Sequence, residues 1–309
     1  MRRWIFLLCL ALPAVAGPLV AQIKPAPPDA WLKRPVDDRT FKGYLDFFKY
    51  DPRLPFELKV TRTEEEEGLK REYLSFQSTA GVRVTAVLSQ QGGASSGLRP
   101  AIIFLHGGGA SGKEGTLPMA GLLARAGWSV LSIDMQYFGE RADGFLTTFS
   151  EVEKHEKLYN RPSVYLSWIT QVAKDVSRSF DVLVAERGID PKRVALWGGS
   201  RGAIAASIAG AIEGRFAAVV LMFGAHYDAL ENNHLPAACP ANYIGRIAPR
   251  PLLMVNATQD SDMIREAAVE PLFKLAKQPK QIIWTDGGHM FMTEENRASV
   301  IQWLREKTR

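Results

Sequence analysis

Residues 197–207 read WGGSRGAIAAS. A bulky apolar run, VALW, meets two glycines, a serine, an arginine and a third glycine, and then small helix formers take over. GGSRG (198–202) matches G-x-S-x-G. Where a strand turns sharply into a helix, the central residue is forced into strained backbone geometry, and only small neighbours avoid a clash. The serine is then lifted above the sheet edge with its hydroxyl exposed. The helix that follows aims the positive end of its dipole at that hydroxyl. A bare glycine-serine turn that only caps a helix is the simpler alternative. The strand-like VALW before and the helix-like AIAASIAGAI after are the context that favours the nucleophile turn.

The runs around this turn carry one pattern. AIIFLH (101–106), WSVLSIDM (128–135), VALWG (194–198), AAVVLMFG (217–224), PLLMVNA (251–257) and QIIWTDG (281–287) are apolar nearly throughout. Helical periodicity lies between several of them, clearest in 117–127 and 163–188. Buried runs separated by helices imply a mostly parallel sheet covered on both faces. KREYLSFQS (70–78) and VRVTAVLSQ (82–90) alternate around Ala80-Gly81 and read as an antiparallel hairpin. The EEEE run at 64–67 reads as a solvated turn before it. The longest irregular stretch, 136–162, reads as a lid or wall over one end of the sheet.

The chain has 309 residues, 46% hydrophobic and 23% charged, which suits one large α/β domain. The formal charge is +5, two units of it from Arg2 and Arg3, and no basic block offers a nucleic-acid surface. MRRWIFLLCLALPAVAGPLVAQ has a basic start, an apolar middle and small residues at Ala14, Ala16, Gly17 and Ala21. This is the layout of a secretory signal peptide over 1–21, with export to the periplasm or outside as the expectation. An uncleaved N-terminal anchor is the alternative, though Pro13 and Pro18 interrupt the run. No membrane span is expected after its removal. Residues 22–40 are proline-rich and charged, an extended arm within an N-terminal segment at 22–60. Of two cysteines, only Cys239 lies beyond the signal, so the remaining chain has no internal disulfide and must rest on its core. Cys239 reads as a small buried filler.

A serine nucleophile needs a base, and on such a sheet the order along the chain is nucleophile, acid, base. His289, in TDGGHMF just past the last apolar run, fits; His226 and His234 come early. Asp260, just beyond the run at 251–257, is the preferred carboxylate, ahead of Asp262 and Asp228, with Asp286 a turn residue. FLHGGGASG (104–112) is a strand running into glycines, and bare backbone there can offer N–H groups to an oxyanion. Gly108 with Gly109 assisting, and the N–H of Arg201 after the nucleophile, are the expected donors. A phosphate loop is the alternative, but Lys113 is followed by Glu114 and not by serine or threonine. His106 reads as a brace for this loop. Metal binding by His226, Asp228 and His234 fits no standard ligand spacing, and no cofactor is expected.

On these residues the chain from about 70 to its end resembles the α/β-hydrolase superfamily, in its dienelactone hydrolase and acetyl xylan esterase-like branch. The resemblance rests on FLHGGG (104–109), DMQYFGERAD (134–143), GIDPKRVALWGGSRG (188–202), IAPRPLLMVNATQD (247–260) and GGH (287–289). It implies an α/β-hydrolase fold, with a catalytic domain over 61–309, and a Ser200, Asp260, His289 triad cleaving carboxylic esters, with small acyl groups such as acetyl expected. A peptidase or amidase, an acyltransferase, and a binding protein on the same scaffold are the alternatives. The substrate expected is a small-molecule or carbohydrate-linked ester. The segment Asp134, Gly139, Glu140, Arg141 matches the branch's Asp-x-x-x-x-Gly-Glu-Arg, whose glutamate and arginine are expected to organise the site wall by ion pairing. Arg141, His106 and His226 are candidate substrate-binding residues. Two departures stand out: Asn256-Ala257 where the branch often has His-Gly or Asn-Gly, and Arg201 where it has a small residue. The long cation of Arg201 either binds an acidic group or folds back into an ion pair.

Overall fold

The computed structural model of the chain describes residues 30–93 and 97–308. The signal segment expected at 1–21 lies outside them. No helix among the described residues is long and apolar enough to cross a membrane.

Nine strands form a single sheet: β1 (Lys59–Glu66), β2 (Leu69–Thr79), β3 (Val82–Gln91), β4 (Arg99–Leu105), β5 (Ser129–Ile133), β6 (Ile189–Gly199), β7 (Ala218–Met222), β8 (Leu252–Ala257) and β9 (Lys280–Thr285). Their spatial order is β1-β2-β3-β5-β4-β6-β7-β8-β9. The pairs β1–β2, β2–β3 and β3–β5 are antiparallel, and every pair from β5 to β9 is parallel. The helices are α1 (Ala30–Lys33), α2 (Asp38–Tyr44), α3 (Leu117–Arg125), α4 (Glu151–Lys154), α5 (Pro162–Glu186), α6 (Arg201–Ile212), α7 (Glu270–Leu275) and α8 (Glu294–Lys307).

The apolar strands are buried on both faces because alternate side chains enter two different cores. Ile103 and Leu105 of β4 join a core with Trp168, Val172 and Val176 of α5 and Ile204 and Ile208 of α6. Ile102 and Phe104 point the other way, to Leu123 of α3 and Val300 and Leu304 of α8. Helix α6 is buried from Arg201 to Gly210, which explains its run of alanines and glycines. At Gly210 a Cβ would stand 3.1 Å from a Val219 methyl. From β4 the chain moves to β5 on one side and later to β6 on the other, so the carboxyl end of β4 is a crevice where ligands gather.

Two expectations are corrected. The acidic run at 64–67 is mostly strand, ending β1. Glu64 lies opposite Arg71 and Glu65 opposite Lys70 in the ladder, and Arg71 pairs with Glu66 while Glu64 takes Arg62 (3.3 Å) and the Tyr73 hydroxyl (3.2 Å). The proline-rich segment is not extended where it is described. Asp37 caps α2 through the Thr40 N–H (2.8 Å), and Phe41 and the buried Phe48 each meet the edge of the Tyr243 ring. Arg246 completes the seat by pairing with Asp38 (2.9 Å) and lying over the Phe41 ring.

Candidate active site

At the end of β6 the backbone of Ser200 takes φ 51° and ψ −119°, a strained conformation for a residue with a side chain. Its N–H donates to the Met222 carbonyl on β7 (2.8 Å), and its carbonyl accepts from Ala203 in the first turn of α6 (2.8 Å). The glycines on either side are required by close approach. A Cβ at Gly198 would collide with the Gly202 carbonyl, and one at Gly202 would collide with the carbonyls of Leu105 and His106.

The structure brings Ser200, His289 and Asp260 into one line. Ser200 Oγ and His289 Nε2 are 2.8 Å apart, and His289 Nδ1 lies 2.7 Å from Asp260 Oδ2. The other Asp260 oxygen accepts the N–H groups of Asp262 and Met263, both at 2.9 Å. Burial pulls the His289 imidazole down, but the hydrogen bond and charge of Asp260 outweigh it, and its pKa stands above the usual 6.5. Burial opposes charge on Asp260 too, yet the His289 hydrogen bond and the two N–H groups hold its carboxyl below the usual range. Asp262 is exposed, and Asp286 accepts from the side chains of Thr258 and Gln259 in the turn.

The glycine loop expected to hold an oxyanion follows β4. His106 is buried, with Nε2 accepting the Met135 N–H (3.0 Å). Nδ1 therefore carries the proton and donates to the Gly107 carbonyl (2.5 Å). Both nitrogens are used on backbone, so His106 braces the loop. Gly107 passes so close to Ser200 that a Cβ there would stand 3.4 Å from the serine Cβ. Gly108 and Gly109 line the cavity beside it. Arg201 is the first residue of α6, so its N–H has no acceptor in the helix ladder. Lys154 Nζ donates to the Gly108 carbonyl (2.9 Å) and to Glu151 (2.6 Å).

The Asp-x-x-x-x-Gly-Glu-Arg segment works behind this loop. Asp134 accepts from the Lys113 N–H (2.8 Å), Lys113 Nζ (2.7 Å) and Thr85 Oγ1 (2.7 Å). Glu140 also takes Lys113 (2.5 Å). Arg141 donates to the Asp134 carbonyl (2.9 Å) and pairs with Asp175 (2.7 Å). Arg141 is thus committed to the fold and does not line the cavity at Ser200, which corrects its candidacy as a substrate residue. His226 is buried against the Tyr227 ring (4.0 Å between centroids) and also stands away from that cavity.

Arg201 folds back. Its guanidinium, almost fully buried, pairs with Asp228 and Glu231 and lies 3.7 Å from the Tyr159 ring centre. Burial opposes its charge, but Glu231 and Asp228 prevail and keep it cationic. Burial also opposes charge on Asp228, yet Arg201 and His155 bring its carboxyl down to about 2. Burial pushes Glu231 up to about 7 despite Arg201. His155 Nε2 bonds both Asp228 oxygens at 2.9 Å, tying the 151–159 segment to this network. Cys239 is buried, and burial pushes its thiol up to about 12.

A cavity of about 420 Å³ opens at Ser200 and His289. Its far wall comes from the irregular stretch, through Phe149, Glu151, Lys154, His155 and Tyr159, and its floor includes Asp228 and Asp262. Lys154, His155 and Tyr159 were not legible as site residues, because they belong to a short helix and a π turn with no motif. Among the described residues, one group could approach a cation together, Asp260, Asp262 and His289, with ligand atoms within 4.8 Å. Two of those three are already bonded to each other.

Neither a protein-family model nor a curated protein sequence matches this chain significantly. Solved structures do match. Acetyl xylan esterase 1 from Thermoanaerobacterium sp. JW/SL YS485 superposes with a TM-score of 0.68 at 13% identity, covering 91% of this chain and 98% of that one. The chain has an α/β-hydrolase fold. A cold-adapted esterase from an Arctic intertidal metagenomic library shares this α/β-hydrolase architecture at a TM-score of 0.62 and 19% identity, over 81% and 98% of the two chains. A glucuronoyl esterase from Solibacter usitatus gives 0.57 at 14%, over 88% and 94%. In all three, identity is low enough that the shared feature is the α/β-hydrolase fold itself.

Proposed function

We propose that the chain is a serine hydrolase of carboxylic esters, with Ser200 as nucleophile, His289 as base and Asp260 as its orienting carboxylate. The carrying observation is the hydrogen-bonded line from Ser200 through His289 to Asp260, opening on a cavity edged by glycine backbone. The fold neighbours named as esterases support the same class.

Ser200 Oγ attacks the acyl carbon while His289 Nε2 takes its proton. The carbonyl electrons move to oxygen, where the N–H groups of Arg201 and Gly108, with Gly109 beside them, hold the negative charge. Asp260 steadies the imidazolium. The carbon–oxygen bond to the alcohol breaks, the alcohol leaves with the proton from His289, and the acyl group stays on Ser200. Water then enters, gives a proton to His289, and the acid departs as Ser200 recovers its own. None of these steps is assigned to Cys239.

The test is hydrolysis of p-nitrophenyl acetate and butyrate by the wild type and by Ser200→Ala, with fluorophosphonate labelling of both. Loss of several orders of magnitude in turnover in the variant, with labelling confined to the wild type, supports the assignment. Equal activity in both proteins, or an unlabelled wild type, overturns it.

A further inference from the structure

A second cavity, of about 380 Å³, adjoins the first and shares Gly107, Gly109 and Met290 with it. The two differ in character. The first carries Glu151, Lys154, His155, Asp228 and Asp262. The second has an apolar wall of Phe104, Met119, Leu122, Met222, Phe223 and Met292, with His106, Ser111, Thr116 and Arg297 also at its lining. Its size falls in the range of small-molecule sites, roughly 300–1,000 Å³. Gly199, directly before the nucleophile, faces it: a Cβ there would meet Met222 Cε at 3.6 Å, Phe104 Cε2 at 3.9 Å and Met290 Cε at 4.0 Å. Ser200 itself lines the first cavity, and the two spaces meet beside it at Gly107, where a Cβ would stand 3.4 Å from the serine Cβ.

The division of an ester between the cavities follows from the chemistry. The leaving alcohol must take a proton from His289, and His289 lines the polar cavity but not the apolar one. The acyl group stays on Ser200 and reaches the apolar cavity past Gly107, which lines both. We infer that the apolar cavity receives the acyl part of the substrate, and that this part is a chain of several carbons while the alcohol is polar. This departs from the small acyl group that the family resemblance implies, and it rests on Ser200 being the nucleophile. Methionines suit such a cavity, because their flexible thioethers follow a chain of variable length.

Leu122 is 41% exposed and sits on the rim of the apolar cavity, so it can be exchanged without disturbing a core. The experiment measures kcat/KM on p-nitrophenyl acetate, butyrate and hexanoate for the full chain, Leu122→Trp and Leu122→Ala, with fluorophosphonate labelling of each. The expected result is a rise of about tenfold or more from acetate to hexanoate in the wild type. Leu122→Trp should cut the hexanoate-to-acetate ratio by about the same factor, and Leu122→Ala should keep or raise it. A wild type that prefers acetate, or a ratio indifferent to both exchanges, with Ser200 still labelled, overturns the acyl-chain assignment and leaves the nucleophile standing. No labelling and no hydrolysis of any ester removes the nucleophile, and the acyl assignment with it.

Discussion

The guanidinium of Arg201 is buried against the carboxylate of Asp228, under the cavity that Ser200 opens into. One residue thus joins the turn at Ser200 to the cavity wall. Its backbone opens α6 directly after Ser200, and its side chain holds the wall that carries Asp228 and, through it, His155. Exchange of Arg201 for Met should destabilise the protein by about 3–5 kcal/mol, because Asp228 and Glu231 would remain buried without their cation. Urea denaturation measures this. A loss below about 1 kcal/mol would mean the pairing is no better than a surface one.

The acid limb of kcat/KM should have its midpoint above pH 6.5. His289 accepts the Ser200 proton only when neutral, and Asp260 raises its pKa, so activity falls as the pH drops through that raised value. Asp260→Asn removes the opposing charge and leaves burial in control. Its acid limb should shift downward, and kcat should fall by about 10⁴-fold. A pH–rate profile of the two proteins decides the matter; an unshifted limb in the variant would assign the ionisation elsewhere.

His155 gives a separate pH signature, in stability. Burial lowers its pKa, but the hydrogen bond and charge of Asp228 outweigh this and raise it above 6.5. A raised histidine contributes stability that is fully present below its unfolded value and is lost as pH rises through its folded value. Unfolding free energy measured from pH 6 to 8 should therefore decline, in part through His155. His155→Gln should flatten that decline, leaving the shares that His289 and the raised Glu231 carboxyl contribute by the same logic.

Lys154 grips the carbonyl of Gly108 and so fixes the peptide that links Gly108 to Gly109. Lys154→Met should lower kcat by about tenfold, less than the roughly 10²–10³-fold cost of deleting an oxyanion donor outright. KM should hold steady, since ground-state contacts are spared. An effect confined to KM would make Lys154 a substrate contact instead.

How much of this was readable beforehand depends on the range of the forces involved. The parallel strands announced themselves because both faces of each are buried, and helix α5 because its periodicity runs for many turns. Ser200, Asp260 and His289 were locatable because each sits a few residues beyond a strand end, a position that chain order alone limits. Strand β1 was missed because four glutamates look like a solvated turn until Arg71 and Lys70 are known to lie across from Glu64 and Glu65. Arg141 reads as an ion-pairing residue with a substrate role as the alternative, and its partner stays hidden because Asp175 is far along the chain, in the middle of α5. Lys154 and His155 gave no signal at all, since their partners, Gly108 and Asp228, are chosen by the folded wall. Long-range polar pairing is what pattern reading lacks.

The bare contact between Gly202 and the carbonyls of Leu105 and His106 has a geometric consequence. No side chain separates the helix that starts after Ser200 from the strand that delivers the glycine loop. With only backbone between them, any side chain at position 202 would push helix and strand apart, so the spacing of the two loops that flank Ser200 is set by a single missing Cβ.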